Sequence, residues 1–172
     1  MGIHDNKRAL ERFDRLAEGC EAEQLDQICT PDMTNHALGS HRPAGLEGTK
    51  EFLRECRQNP GRAAWMRTML GQQDLITIAE GDYVIQFGKR TGTWPGGQFR
   101  GYDIPAGDYE YDVAFMYRFE DGRIAERWAL RDDLAMITQL SGTPAQHIAL
   151  KLRARAAPDD IATSMISRGS RR

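Results

Sequence analysis

Long apolar runs are missing from this 172-residue chain, so no segment approaches transmembrane length. Cysteine is scarce. Cys20, Cys29 and Cys56 are odd in number and their spacings fit no zinc pattern, so they read as free thiols in a reducing compartment. An excess of one charge is also lacking. Lys and Arg total 23 against 25 Asp and Glu, a net charge of −2, which excludes a general attraction to nucleic acid or to an anionic membrane. The segment Met1 to Leu10 is charged and has no apolar core, so it does not read as a secretory signal, and a cytoplasmic location is expected. Metal-ligand spacings such as HExxH or two His with one carboxylate do not occur, so no metal is expected. Neither a G-x-S-x-G elbow nor a P-loop is present. The glycines of Gly92 to Gly107 lack the strand–turn–helix order of a dinucleotide site, and no cofactor is expected.

Hydrophobic residues make up 40% and charged residues 28%, and the length suits one domain. Helices are expected first, over about 6–18, 22–28 and 46–57, with Gly19 and Asn59-Pro60-Gly61 as stops. From Arg62 onward the pattern reads as strands: 64–72, 75–79, 83–93, 109–119 and the segment after Asp121-Gly122. Two further helices are expected, over about 132–140 and 144–155. This order indicates an α+β fold, with a curved antiparallel sheet packed on the N-terminal helices. Residues 1–142 form the domain. Residues 143–172 are a helix and a basic tail, expected to be mobile because 156–172 holds only Ile161, Met165 and Ile166 as large apolar side chains.

The stretch from Asp121 to Leu140 is the most informative. Asp121-Gly122 is a strong hairpin signal. By strand periodicity, Ile124, Glu126, Trp128, Leu130 and Asp132 share one face. Asp132 then admits two readings. Physics alone favours an aspartate that caps the next helix. The other is a carboxylate beside the Trp128 indole with a raised pKa, suited to acid/base work. His36 likewise either polarises a carbonyl or bonds to backbone at a strand end. Glu126 is expected to pair with Arg118, Arg127 or Arg131. Trp65, Trp94, Trp128, Tyr83, Phe87, Tyr102 and Phe115 are candidates for core or for an aromatic pocket wall.

The succession Asn35-His36, Gly45-x-x-Gly48, Glu80-Gly81-Asp82, Gly92-Thr93, Gly101, Pro105-x-Gly107, Asp121-Gly122-Arg123-Ile124-x-Glu126-x-Trp128-x-x-x-Asp132 and Gln139-Leu140 resembles the SnoaL-like polyketide cyclases of the nuclear transport factor 2-like superfamily. It covers roughly residues 5–141. The resemblance implies a cone-shaped α+β barrel around one apolar pocket, and a homodimer or higher homo-oligomer formed through the sheet. It also implies intramolecular aldol ring closure without metal or cofactor, on an apolar, carbonyl-rich, polyketide-like small molecule of secondary metabolism. The pocket aspartate of that chemistry matches Asp132 best. His36 is a second catalytic candidate, and Trp128, Trp65, Phe115 and Gln139 are candidates for substrate binding. Asp133 doubles the carboxylate and can share or take its role. Ser141 stands where a glycine often follows Gln-Leu. The alternatives are an epoxide hydrolase or isomerase in the same pocket, and a non-catalytic ligand-binding protein.

Overall fold

The computed structural model describes residues 2–38, 42–70, 75–99 and 102–142. His41 and the whole segment 143–172, with its expected helix and tail, lie outside the described residues. Helix α1 (Ile3–Glu18) starts where the Asp5 carboxylate accepts from the Gly2 N–H at 3.0 Å. Leu10, Phe13, Leu16 and Ala17 form its buried stripe. A single 3₁₀ segment, Ala22–Gln27, leads to strand β1 (Cys29–Asn35) and helix α2 (Gly45–Gln58).

The expected strand over 64–72 is instead helix α3 (Pro60–Leu70). The pair Asn59-Pro60 does end α2, and it also starts α3. The Asn59 side chain accepts from the Arg62 N–H at 3.1 Å, and proline occupies the first helical position, where its missing N–H is harmless. Trp65, Met66 and Met69 are the buried residues of α3, a spacing of helical and not of strand period.

Strands β2 (Ile76–Glu80), β3 (Tyr83–Trp94), β6 (Gly107–Glu120) and β7 (Arg123–Arg131) follow, with a short hairpin of β4 (Gly97–Phe99) and β5 (Tyr102–Ile104) between β3 and β6. Helix α4 (Asp133–Ser141) ends the described chain, with Gly142 in the left-handed region behind it. The main sheet runs β1-β7-β6-β3-β2. All its pairs are antiparallel except β1 with β7. It is a curved, open sheet packed against the N-terminal helices, a cone-like α+β architecture. Its concave face carries Tyr109, Tyr111, Val113, Phe115, Tyr117 and Phe119 of β6, all buried. Each contributes about 1.5–3 kcal/mol as water is excluded. Among the described residues no helix is long and apolar enough to cross a membrane.

One irregularity decides which β7 side chains face inward. Phe119 pairs with Ile124, whereas Arg118 pairs with Glu126, so Ala125 is an extra residue. Beyond this bulge Arg127, Ala129 and Arg131 lie opposite the inward Tyr117, Phe115 and Val113. Glu126, Trp128 and Leu130 are therefore on the convex face. The expected common face from Ile124 to Asp132 is interrupted after its first residue.

Helix α2 is held close to β1 by a glycine. Gly45 has φ +82°, and a Cβ there would stand 2.2 Å from the Met33 carbonyl oxygen. Gly45→Ala combines a left-handed backbone with a backbone clash. It is expected to cost about 2 kcal/mol or more in urea unfolding. A variant as stable as the parent would show that the α2–β1 junction relaxes freely.

Candidate active site

The concave face of the sheet is not uniformly apolar. Gln86 and Arg90 project inward from β3, since they pair with the inward Phe115 and Tyr111. Both are buried, Gln86 at 8% exposure and Arg90 at 2%. Opposite them, α1 presents Asp14, half-buried and four residues after the buried Leu10. The Gln86 amide donates to Asp14 Oδ2 at 3.0 Å. Loss of water pushes the Asp14 carboxyl above its ordinary value of 3.8, against the opposing pull of the Gln86 hydrogen bond and of Arg90 and Arg127.

Arg127 completes this group from β7. Its guanidinium carbon lies 5.2 Å from the centre of the Phe115 ring and 5.8 Å from that of Tyr117. It donates to Asn35 Oδ1 at 3.3 Å, and the Asn35 amide donates to Thr49 at 2.9 Å. The Arg90 guanidinium carbon stands 4.7 Å from the same Phe115 ring, and its Nη1 donates to the Met69 carbonyl at 3.2 Å. Burial opposes the positive charge of Arg90, while Asp14 supports it. Burial also raises the Tyr117 hydroxyl, so Tyr117 stays neutral.

Further along the face sit Tyr109, Tyr111, Arg131 and Asp133. The Tyr111 hydroxyl donates to the Met69 sulfur at 3.4 Å. Arg131 Nε lies 3.4 Å from Asp133 Oδ1. Burial raises both tyrosine hydroxyls, Tyr109 and Tyr111. The second of the paired aspartates is thus the one tied to an inward arginine.

The residues singled out in the sequence are only partly brought together. Phe115 is in the cluster, under both guanidiniums. Trp65 is buried core, with its indole N–H donating to the Tyr109 hydroxyl at 2.5 Å and its ring edge-on to Trp94 at 5.3 Å. Asp132 is exposed and caps α4, accepting from the Ala135 N–H at 2.9 Å. Gln139 is exposed and clips α4 to β6 through the Glu110 N–H and carbonyl. Trp128 does not share a pocket with Asp132, because the bulge turns it to the convex face. His36 is there too, stacked on Trp128 at 4.9 Å with ring planes 11° apart. Its Nε2 lies 3.2 Å from Glu126, and its backbone N–H donates to the Arg127 carbonyl at 2.9 Å. Arg118 is the arginine that binds Glu126, at 2.8 Å, and this bond, with His36, holds Glu126 below the usual carboxylate range. The three cysteines are free and buried, and burial raises the Cys29 and Cys56 thiols to about 12.

Asp14, Gln86, Arg90 and Arg127 were missed in the sequence. The signals were present in part. Asp14 falls on the apolar stripe of α1 between Leu10 and Ala17, and Gln86 and Arg90 alternate with Ile85 and Phe87. Only knowledge of which β3 face is inward converts that alternation into a site. Among the described residues no group of three or more His, Cys, Asp or Glu is placed to hold a metal ion.

Comparison with solved structures gives the same architecture. A candidate SnoaL-like polyketide cyclase from Jannaschia matches with a TM-score of 0.61 and 19% identity, over 84% of this chain and 97% of the other. IdmH from Streptomyces antibioticus, a candidate polyketide cyclase, matches with a TM-score of 0.55 and 23% identity, over 78% and 96%. AclR from Streptomyces galilaeus, a candidate hydroxylase, matches with a TM-score of 0.58 and 15% identity, over 83% and 100%. At these identities the likeness shows the fold alone. No curated protein matches the chain. The SnoaL-like polyketide cyclase family matches over residues 7–140, the region that holds the whole sheet, and the chain belongs to that family.

Proposed function

We propose that the protein is a cofactor-independent enzyme that closes a ring by intramolecular aldol condensation in an apolar, carbonyl-rich, polyketide-like molecule. The observation that carries this reading is the Asp14 carboxyl, desolvated on the concave face, bonded to Gln86 and flanked by Arg90 and Arg127. Ring closure needs a proton removed from a carbon between two carbonyls. Asp14 takes that proton. The enolate carbon attacks a second carbonyl, one C–C bond forms, and Asp14 returns the proton to the new alkoxide. A carboxyl with a raised pKa suits both halves of this exchange. The two guanidiniums favour the oxygen charge that develops on the enolate and then on the alkoxide. Asp132 serves in this reading as the cap of α4.

A synthetic aromatic poly-β-ketone ester tests the reaction. The expected product is ring-closed, seen by mass spectrometry and by its new absorbance, and it forms at the same rate after exhaustive chelation. Unchanged ketone, or activity lost with EDTA and restored by zinc or magnesium, overturns the reading.

The assembly proposed with it is a homodimer through the convex face. Two apolar rows cross four strands there: Ile76, Phe87, Ala114 and Leu130, and beside them Ile78, Ile85, Met116 and Trp128. Leu130 is 75% exposed, and Ile76, Ile78 and Phe87 are exposed by more than half. A contiguous apolar patch of this kind favours association. Light scattering at micromolar concentration is expected to give twice the chain mass of 19.4 kDa, and Phe87→Arg to give the single chain. A monomeric parent protein contradicts the dimer.

A further inference from the structure

The interior carries more positive than negative charge. Arg90, Arg127 and Arg131 all point inward, against Asp14 and Asp133. Arg131 is matched by Asp133. Arg90 and Arg127 are left with Asp14 as the carboxyl near both, and desolvation already favours the neutral form of that carboxyl. The partners of the two guanidiniums are otherwise neutral: the Met69 carbonyl for Arg90, and Asn35 for Arg127. Among the described residues, Arg90 Nε and Arg127 Nε have no hydrogen-bond partner although both atoms are buried. Holding the buried Arg90 and the half-buried Arg127 beside a single carboxyl is costly. A ligand anion removes that cost.

We propose that this concave face binds an acidic ligand: a flat apolar body bearing a carboxylate that docks between Arg90 and Arg127. The planar guanidinium fork matches a carboxylate. Phe115 under both guanidiniums, and Phe13 beside Arg127, hold the two forks in place, and the apolar body is that of the proposed substrate. The proposal rests on reading the Asp14 cluster as the substrate site, and it narrows the substrate to carbonyl compounds that carry a free acid.

The test is a titration calorimetry panel of aromatic carboxylates with one, two and three fused rings, each paired with its carboxamide, at pH 7 and low salt. The best carboxylate is expected to bind at least about tenfold more tightly than its amide. Arg127→Gln is expected to erase the preference and Arg127→Lys to keep part of it. Equal affinity for acid and amide, or no binding of any carboxylate at millimolar concentration, overturns the proposal. The parent protein alone decides this, so a variant that folds poorly leaves the answer intact. Loss of turnover in Asp14→Asn is read separately, so an acid/base role and an anion preference can fail independently.

Discussion

Replacing Asp14 by Asn is expected to lower turnover by about 10²-fold or more, the usual size of a lost general base, and at the same time to stabilise the fold at neutral pH. Both effects have one cause. Below 3.8 the carboxyl is protonated in the folded and unfolded chain alike. As pH rises, the unfolded chain ionises first, while the folded chain keeps its proton because the site is desolvated. The folded state then binds more protons, so stability falls with pH until Asp14 also ionises, and a constant penalty remains above that point. Asn carries no such penalty. Its gain in melting temperature should be present at pH 7 and vanish as pH drops below 3.8. In the parent protein kcat/KM should rise with pH through an inflection above 3.8, and Asp14→Asn should lack it. Asp132→Asn is the reference. Asn caps a helix as well as Asp, so turnover and stability should stay within a few-fold and a few tenths of a kcal/mol. Full turnover in Asp14→Asn together with a collapse in Asp132→Asn would return the chemistry to the sheet end.

Arg127→Gln is expected to lower kcat by about 10²–10³-fold, the loss typical of one donor that stabilises a developing oxyanion. The side chain stands over Phe115 and Tyr117 and is held by Asn35, so it is placed before the charge develops. Arg127→Lys should recover part of the rate, since it restores the charge without the planar fork. The neighbouring β7 residue provides the control. Trp128→Phe alters the convex face, where the indole stacks on His36, and should leave kcat within a few-fold. A rate that follows Trp128 and ignores Arg127 in steady-state kinetics would mean that the chemistry takes place on the other face of the sheet.

Much of the architecture was legible because local chemistry agrees with the fold. The left-handed Gly81 and Gly122 turns, the apolar stripe of α1 and the alternation of β6 each point one way, and the structure follows them. Helix α3 was misread because its apolar residues, taken without Asn59 as a cap, suit a strand as well as a helix. The family pattern from Asp121 to Leu140 was also correct as a resemblance, but unbroken strand periodicity then put Trp128 beside Asp132 as a pocket wall.

The sequence by itself determined the helix-then-sheet order, the hairpins at Gly81 and Gly122, the free thiols and the family, but not the β4–β5 hairpin. Periods of 3.6 and 2, turn glycines and caps are properties of neighbouring residues, and a chain displays them before it folds. Tertiary structure alone decided which faces turn inward. The extra residue Ala125 exchanges the two sides of β7, moving Arg127 to the concave face and Trp128 to the convex one. A one-residue slip inverts every side chain beyond it, and whether it occurs depends on pairing with Arg118 and Phe119. The same holds for Asp14, whose counterpart Gln86 is 72 residues away. Its raised proton affinity comes from lost water, set against the opposing pull of two arginines on other strands, and these surroundings exist only once the sheet has closed over the helices.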